Sequence, residues 1–170
     1  IARKPLLFGV EEKLCYNQHA HLHIQGVVQN FNNKVYGTWD HKSLHIWSME
    51  TGARVQVHKM IEITRTHCSI TAVAFSHKYR LYLIVTSGFD FIFMNENGYT
   101  VATEFMNGLS TVNFVHFNDK QNQLITAGIK GVYIHNFKYS GKYEDPKLAA
   151  TIDIQGKHIR IDFVKKRLLE

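Results

Sequence analysis

The fold is decided by residues 70–81, which read ITAVAFSHKYRL. Side chains alternate along the first half of this stretch, with Ile70 facing one side and Phe75 the other, which is the period of a β-strand. A short polar turn containing Lys78 follows, and a second apolar run begins at Leu81. The pattern predicts two strands that are joined by a turn.

The same pattern occurs four times along the chain, and in each copy the first apolar segment leads into a phenylalanine. The four anchor residues are Phe31, Phe75, Phe117 and Phe163, so that successive anchors lie 44, 42 and 46 residues apart. A β-propeller blade of four strands takes roughly 40 to 45 residues. An immunoglobulin-like sandwich needs no such self-similarity, and a parallel β-helix repeats at a far shorter period. The spacing therefore favours a propeller.

The segments between the anchors are also typical of strands. Residues 82–86 and 91–94 are nearly continuous apolar runs, as expected for strands that are buried on both faces. Turn-forming residues separate such runs, for example at 50–52 and 95–98. No convincing amphipathic helix is present in the sequence. The predicted class is all-β, with about four short strands in each repeat.

The composition excludes several classes of protein. The 170 residues are 45% hydrophobic, which excludes intrinsic disorder. No apolar run approaches the roughly 18 residues of a membrane span. Cys15 and Cys68 provide no disulfide framework, which favours a reduced, intracellular setting. The net charge of +6 mildly favours acidic partners.

Residues 43–47, which read SLHIW, and the following turn SMETG resemble the third strand and exit turn of a WD40 repeat. His23 and His67 each lie eight residues before an anchor phenylalanine, where that family has a loop histidine. The resemblance covers about residues 20 to 170. It implies a partial WD-repeat β-propeller with four antiparallel strands in each blade.

The resemblance also implies a buried hydrogen-bond network in each blade, since a buried histidine, aspartate and hydroxyl are tolerated only when they satisfy one another. The implied members are His23, Thr38, Asp40 and Trp47 in the first blade, and His67 and Ser87 in the second. We expect a partial network in the second blade, where Phe93 or Met94 replaces the tryptophan and Asp90 is a third candidate. We expect none in the third blade, where Leu109 replaces the histidine.

The repeat register divides the chain into blades. We expect blades at about residues 20–64, 65–108 and 109–157. Residues 1–19 would hold the tail of a preceding blade, and residues 158–170 the start of the next. These bounds predict that the chain is a segment of a larger propeller protein.

Catalytic and metal-binding chemistry finds little support in the sequence. His19, His21 and His23 have a spacing that zinc could use on a strand, but no fourth ligand is evident and His23 belongs to the repeat register. No nucleophile elbow, phosphate-binding loop or zinc-protease motif occurs. We therefore expect no catalytic residue, no metal and no cofactor.

The strongest basic cluster lies near the end of the chain. It consists of Lys157, Arg160, Lys165, Lys166 and Arg167, with Phe163 among them. Basic residues interleaved with an aromatic ring can bind single-stranded nucleic acid. An RNA-processing or ribosome-biogenesis propeller that uses a basic face is therefore the alternative function.

The function that the resemblance implies is a non-catalytic scaffold that binds other proteins within a large complex. Tryptophan-poor repeats with basic turns are closest in style to the structural WD-repeat proteins of cilia and axonemes. We expect an intracellular, cytoplasmic protein of a cytoskeletal or ciliary assembly, without membrane association. Tubulin surfaces are acidic, and charge complementarity with this basic chain would aid docking.

Overall fold

The computed structural model describes residues 23–64, 67–105, 111–139, 152–153 and 159–161. These residues form three antiparallel sheets of four strands each and one ribbon of two strands. β-Branched and aromatic residues dominate the strands, as their propensities lead one to expect. The expected all-β class is confirmed. We call each four-stranded sheet, with its turns, a blade.

The first and second blades each contain four strands in chain order. The first consists of β1 Gly26–Asn30, β2 Val35–Trp39, β3 Ser43–Ser48 and β4 Arg54–Lys59, followed by the single-turn helix α1 Met60–Thr64. The second consists of β5 Ile70–Ser76, β6 Leu81–Thr86, β7 Asp90–Asn95 and β8 Thr100–Phe105. The first strands lie side by side, β1 next to β5 and β5 next to β9 of the third blade.

The third blade takes its outer strand from a distant part of the chain. Its strands are β9 Val112–Asn118, β10 Gln123–Gly128, β11 Gly131–Asn136 and β14 Ile159–Ile161. The ribbon of β12 Lys138–Tyr139 and β13 Ile152–Asp153 lies between β11 and β14 in the chain. We expected residues 158–170 to begin the next blade. The pairing of β14 with β11 instead gives residues 159–161 to the third blade.

The turns between the first two strands show the repeat in the backbone. Each turn holds four residues between paired strand ends, at 31–34, 77–80 and 119–122. The fourth residue has a left-handed φ in every case, 51° at Lys34, 56° at Arg80 and 53° at Asn122. The three turns are therefore equivalent, and we call them together the turn rim.

This register corrects the anchor of the first blade. Phe75 and Phe117 are buried within their strands, as predicted, whereas Phe31 is the first residue of its turn and is 61% exposed. The equivalent strand position in the first blade is Gln29. The prediction of Phe31 as the anchor was therefore wrong by two residues. The buried positions at the end of β1 are occupied by Val28 and by the polar Asn30.

Two apolar cores lie between the blades. On β6, Leu83 and Val85 pack towards the third blade, while Tyr82 and Ile84 pack towards the first. Both faces of the second blade are thus covered, as its continuous apolar runs predicted. The largest fully buried side chains include Tyr82, Phe91 and Phe93. The second blade, which packs against a neighbour on each face, joins the other two.

Candidate functional site

Thr38 and Trp47, which the resemblance placed together, are joined by a hydrogen bond in the first blade. The indole Nε1–H donates to Thr38 Oγ1 over 2.8 Å, and both side chains are buried. Thr38 pairs with His45 across β2 and β3, so the bond runs diagonally to the residue two positions further along β3. The bond ties the third strand to the second.

Asp40 is the centre of the turn between β2 and β3. It is fully buried and accepts hydrogen bonds from the backbone N–H of Lys42 at 2.6 Å and of Ser43 at 2.9 Å. Ser43 Oγ–H also donates to its carboxylate at 3.1 Å. Asp40 therefore satisfies the polar groups of its own turn, which a buried carboxylate requires.

The histidine of this network is His45, and not His23 as expected. Ser43 Oγ lies 2.9 Å from His45 Nε2, and Arg54 Nη1 lies 3.5 Å from His45 Nδ1. A guanidinium only donates, so Nδ1 accepts and Nε2–H donates to Ser43. His23 is exposed because it precedes β1, whereas His45 shares a face of β3 with Ser43 and Trp47.

The second blade does not form the partial network that we expected from His67 and Ser87. Both side chains are exposed, and Ser87 Oγ accepts a hydrogen bond from the backbone N–H of Ser69 at 3.0 Å. The strand register places Ile84 and Met94 where the first blade has its hydroxyl and indole. An apolar pair thus replaces the polar one.

The third blade has a polar pair where we expected none. Thr126 Oγ1 lies 3.0 Å from His135 Nε2, and both residues are almost fully buried. The strand register makes them equivalent to Thr38 and Trp47. The signal was present in the sequence, since nine positions separate the members of both pairs.

Hydrogen bonds join the three turns of the turn rim in sequence. The backbone N–H of Phe31 donates to His77 Nε2 at 3.3 Å, and the backbone N–H of His77 donates to Asp119 Oδ2 at 2.9 Å. Asp119 Oδ1 also accepts from Ser76 Oγ at 2.6 Å. In both steps the first residue of one turn binds the first residue of the turn before it. Sequence reasoning missed this ladder, because it joins residues more than 40 positions apart.

A partly exposed ion pair of the second blade lies at the contact with the first blade. The side chain of Glu96 is 1% exposed, and its Oε2 lies 2.6 Å from Arg80 Nη2 and 2.7 Å from Arg80 Nε. Glu96 Oε1 accepts a hydrogen bond from Asn30 Nδ2 of the first blade at 2.7 Å. Burial raises the pKa of the nearby Tyr82 to about 12, opposed by a hydrogen bond from Asn30 and assisted by the charge of Glu96.

Neither protein-family models nor curated proteins match the sequence. The structure is similar to the WD40 repeats of RRP9, with a TM-score of 0.60 and 15% identity over 68% of this chain. It is also similar to U3-55K, with a TM-score of 0.59 and 17% identity over 68% of this chain. A third similar structure is Hsv2 of Kluyvelomyces marxianus, with a TM-score of 0.60 and 10% identity over 82% of this chain. The fold is that of a WD40 β-propeller. The chain spans 36% of the RRP9 and U3-55K chains and 50% of the Hsv2 chain.

The basic cluster predicted at the end of the chain lies almost wholly outside the described part of this WD40 fold. Lys157, Lys165, Lys166 and Arg167 are not among the described residues. Arg160 is placed by its backbone alone, on β14 opposite Tyr133. His19 and His21 also lie outside the described part.

Within its described ranges, the WD40 fold contains no group of three or more histidine, cysteine or acidic residues that could hold a metal ion. No helix among those residues is long and apolar enough to cross a membrane.

Proposed function

We propose that this chain is part of a non-catalytic scaffold that binds other proteins. The turn rim carries the proposal, because the ladder through His77 and Asp119 fixes three turns side by side as one rigid surface. Rigid surfaces bind partners at low cost in conformational entropy. A WD40 fold alone does not determine a function, so the proposal depends on the properties of the turn rim.

The domain organisation is part of the same proposal. We propose one partial propeller, with blades at about residues 20–64 and 65–108 and a third that starts near 109. The third blade extends past the expected end at 157, because β14 completes its sheet. Residues 1–19 are proposed to belong to a preceding blade.

The finer proposal is a place in a cytoplasmic, cytoskeletal or ciliary assembly. Its support is the net charge of +6, which suits acidic surfaces of the kind that tubulin and its filaments present. Fluorescence localisation of the tagged full-length protein tests it. We expect co-localisation with microtubules or axonemes, and a nuclear or nucleolar distribution would contradict it.

The scaffold proposal is tested by affinity purification of the full-length protein, tagged at its own locus, with and without RNase. We expect the same protein partners at constant stoichiometry in both preparations. Loss of all partners after RNase treatment would support the nucleic-acid alternative. In that case, changing Lys157, Arg160, Lys165 and Arg167 to Glu should abolish RNA binding.

A further inference from the structure

We propose that the outer edge of the second blade binds an extended segment of a partner protein as a fifth strand, with a basic side chain of that segment beside Glu104. The inference rests on the proposed scaffold function only for the partner being a protein. It adds a second binding surface, separate from the turn rim, and the chemistry of what binds there.

The edge belongs to β8, the last strand of its sheet. Among the described strands β8 pairs only with β7, whereas β5, at the other side of the sheet, lies next to the first strands of the other two blades. Further blades that close the ring therefore leave the edge of β8 open. Such an edge presents a row of backbone N–H and C=O groups with which another strand can pair.

The sequence of β8 lacks the residues that commonly protect an exposed edge. Its six residues, TVATEF, include no lysine, arginine or proline. The outer strand of the first blade, β4, carries Arg54, His58 and Lys59. A β-bulge interrupts the pairing of both outer strands, so it does not distinguish them. The difference in charge makes β8 the edge that accepts a further strand.

Two aromatic side chains are exposed at the ends of this edge. Tyr99 directly precedes β8 and is 57% exposed, and Phe105 ends the strand and is 60% exposed. Thr100 and Thr103 between them are also exposed. The six residues of the strand span about 20 Å, which is an ordinary strand length. A bound segment of that length would therefore cover apolar area at both ends of the edge.

Glu104 supplies the charge that selects the partner. It is the only charged residue of β8, it is half-buried, and within the described part of the chain its carboxylate has neither an ion pair nor a hydrogen bond. A carboxylate that is partly removed from water is complemented by lysine or arginine. The net charge of +6 opposes a basic segment at long range, but physiological salt screens charges beyond about 8 Å.

The strand register determines the pattern of the bound segment. Glu104 pairs with Phe91, whose ring packs towards the third blade. Thr103 and Phe105 are its neighbours along β8, so their side chains lie on the opposite face. In an added strand, the residue beside Glu104 shares its face, and the residues before and after that one share the other face. The segment therefore carries lysine or arginine between two large apolar residues.

A second copy of this chain fits the edge less well than a basic segment. β8 contains no lysine or arginine, so two copies paired edge to edge would bring no cation to Glu104. They would instead hold two carboxylates at one interface, and like charges on paired strands are destabilising. The occupant that we assign is a segment of a different protein.

The experiment is selection of peptides from a random phage-displayed library by the full-length protein. We expect enrichment of peptides in which lysine or arginine stands between two large apolar residues. The best peptide, labelled with fluorescein, is then titrated by fluorescence anisotropy. We expect Glu104→Lys to weaken its binding about tenfold or more, and Phe105→Ala about fivefold or more.

Hydrogen exchange distinguishes the addition of a strand from contact of side chains alone. We expect saturating peptide to slow exchange about tenfold or more at those amides of residues 100–105 that face the open edge, because they acquire hydrogen-bond partners. The amides of β4 should exchange at unchanged rates. Peptide binding without protection of β8 would contradict the proposal.

Matched controls make the same kinds of change on the first blade. Val55 of β4 is 53% exposed, and Val55→Ala should leave peptide binding within about twofold. Glu62 is exposed on α1, and we expect the same of Glu62→Lys. Thermal unfolding of every variant checks its fold. If Glu104→Lys is unstable, Glu104→Gln keeps the test decisive, since it removes the charge with little change in shape and should weaken binding about threefold or more.

Several outcomes would overturn the proposal. They are no enrichment, enrichment of peptides without a basic residue, and binding that the variants of Glu104 and Phe105 do not change. Dimerisation that Phe105→Ala prevents would make a second copy the occupant. Slow exchange at the outer amides of β8 without any peptide would show that another part of this chain covers the edge.

The outcome for this surface is separable from the outcome for the scaffold. If the protein partners of the purified full-length protein survive Glu104→Lys and Phe105→Ala, the scaffold function stands and the assignment of the β8 edge fails. If the purified protein has no protein partners with or without RNase, the scaffold function itself fails.

Discussion

At the scale of single residues, Gly37 shows how tightly the side chains of the first blade pack over its second strand. A Cβ at this position would lie 2.7 Å from Val28 Cγ1 and 3.0 Å from Leu44 Cδ1, inside the core between the blades. We expect Gly37→Ala to lower the free energy of unfolding by about 1–3 kcal/mol through overpacking. Urea unfolding measures the change. Ile129→Ala, at a position that is 86% exposed, serves as a control that should change stability by less than about 0.5 kcal/mol.

The buried pair of Thr126 and His135 provides a second prediction at this scale. Thr126→Ile leaves the imidazole without its hydroxyl partner in a buried site, and we expect a loss of about 1–3 kcal/mol. The double variant with His135→Met reproduces the apolar pair of Ile84 and Met94 in the second blade. It should be less destabilised than the sum of the two single variants. Strictly additive losses in urea unfolding would contradict this interpretation.

At the scale of elements, Asp119 of the third blade holds the turn of the second blade in place. It accepts hydrogen bonds from the backbone N–H groups of His77 at 2.9 Å and Lys78 at 3.2 Å, and from the hydroxyl of Ser76. We expect Asp119→Ala to accelerate hydrogen exchange at these two amides about tenfold or more, since one such bond contributes about 1.5–3 kcal/mol. Unchanged exchange at both amides would show that the ladder does not hold the turn. Asp119→Asn should have a smaller effect.

The packing of β4 against the second blade predicts sensitivity to acid. Burial lowers the pKa of His58 below 6.5, opposed by the charge of Glu62, and the imidazole lies against Gly98 and beside Gln56. The unfolded chain therefore binds a proton at this site more readily, so stability falls as the pH drops below 6.5.

The measurement for His58 is the melting temperature between about pH 7.5 and pH 5.5. We expect a smaller acid-induced drop for His58→Gln than for the native sequence, because the substituted side chain does not titrate. A drop of the same size would refute a role for His58.

At the scale of the whole molecule, sequence patterns predicted the architecture, but they did not predict the contacts between blades. The spacing from Phe75 to Phe117 predicted the repeat. The alternation of apolar residues predicted the all-β class, because it depends only on neighbouring residues. The exposure of Phe31 could not be predicted in this way. Phe31 is the first residue of a turn, and the buried residue before it, Asn30, binds Glu96 of the second blade.

In the candidate site too, contacts between adjacent strands could be predicted, and burial by distant residues could not. Thr38 and Trp47 could be placed together because they lie on adjacent strands of one blade. The replacement of His23 by His45 could not be foreseen, since burial of the imidazole depends on what covers that face of β3. The place of β14 in the third blade was also missed, because residues 137–158 separate it from the strand with which it pairs.

The ladder of the turn rim has a direction along the chain. In each step the donor amide belongs to the earlier turn and the acceptor side chain to the later one, from Phe31 to His77 and from His77 to Asp119. During synthesis at about 5–20 residues per second, Asp119 leaves the ribosome about 2–8 s after His77. Each turn can therefore be fixed only after the next has been translated, and the ladder forms in chain order, the first turn before the second.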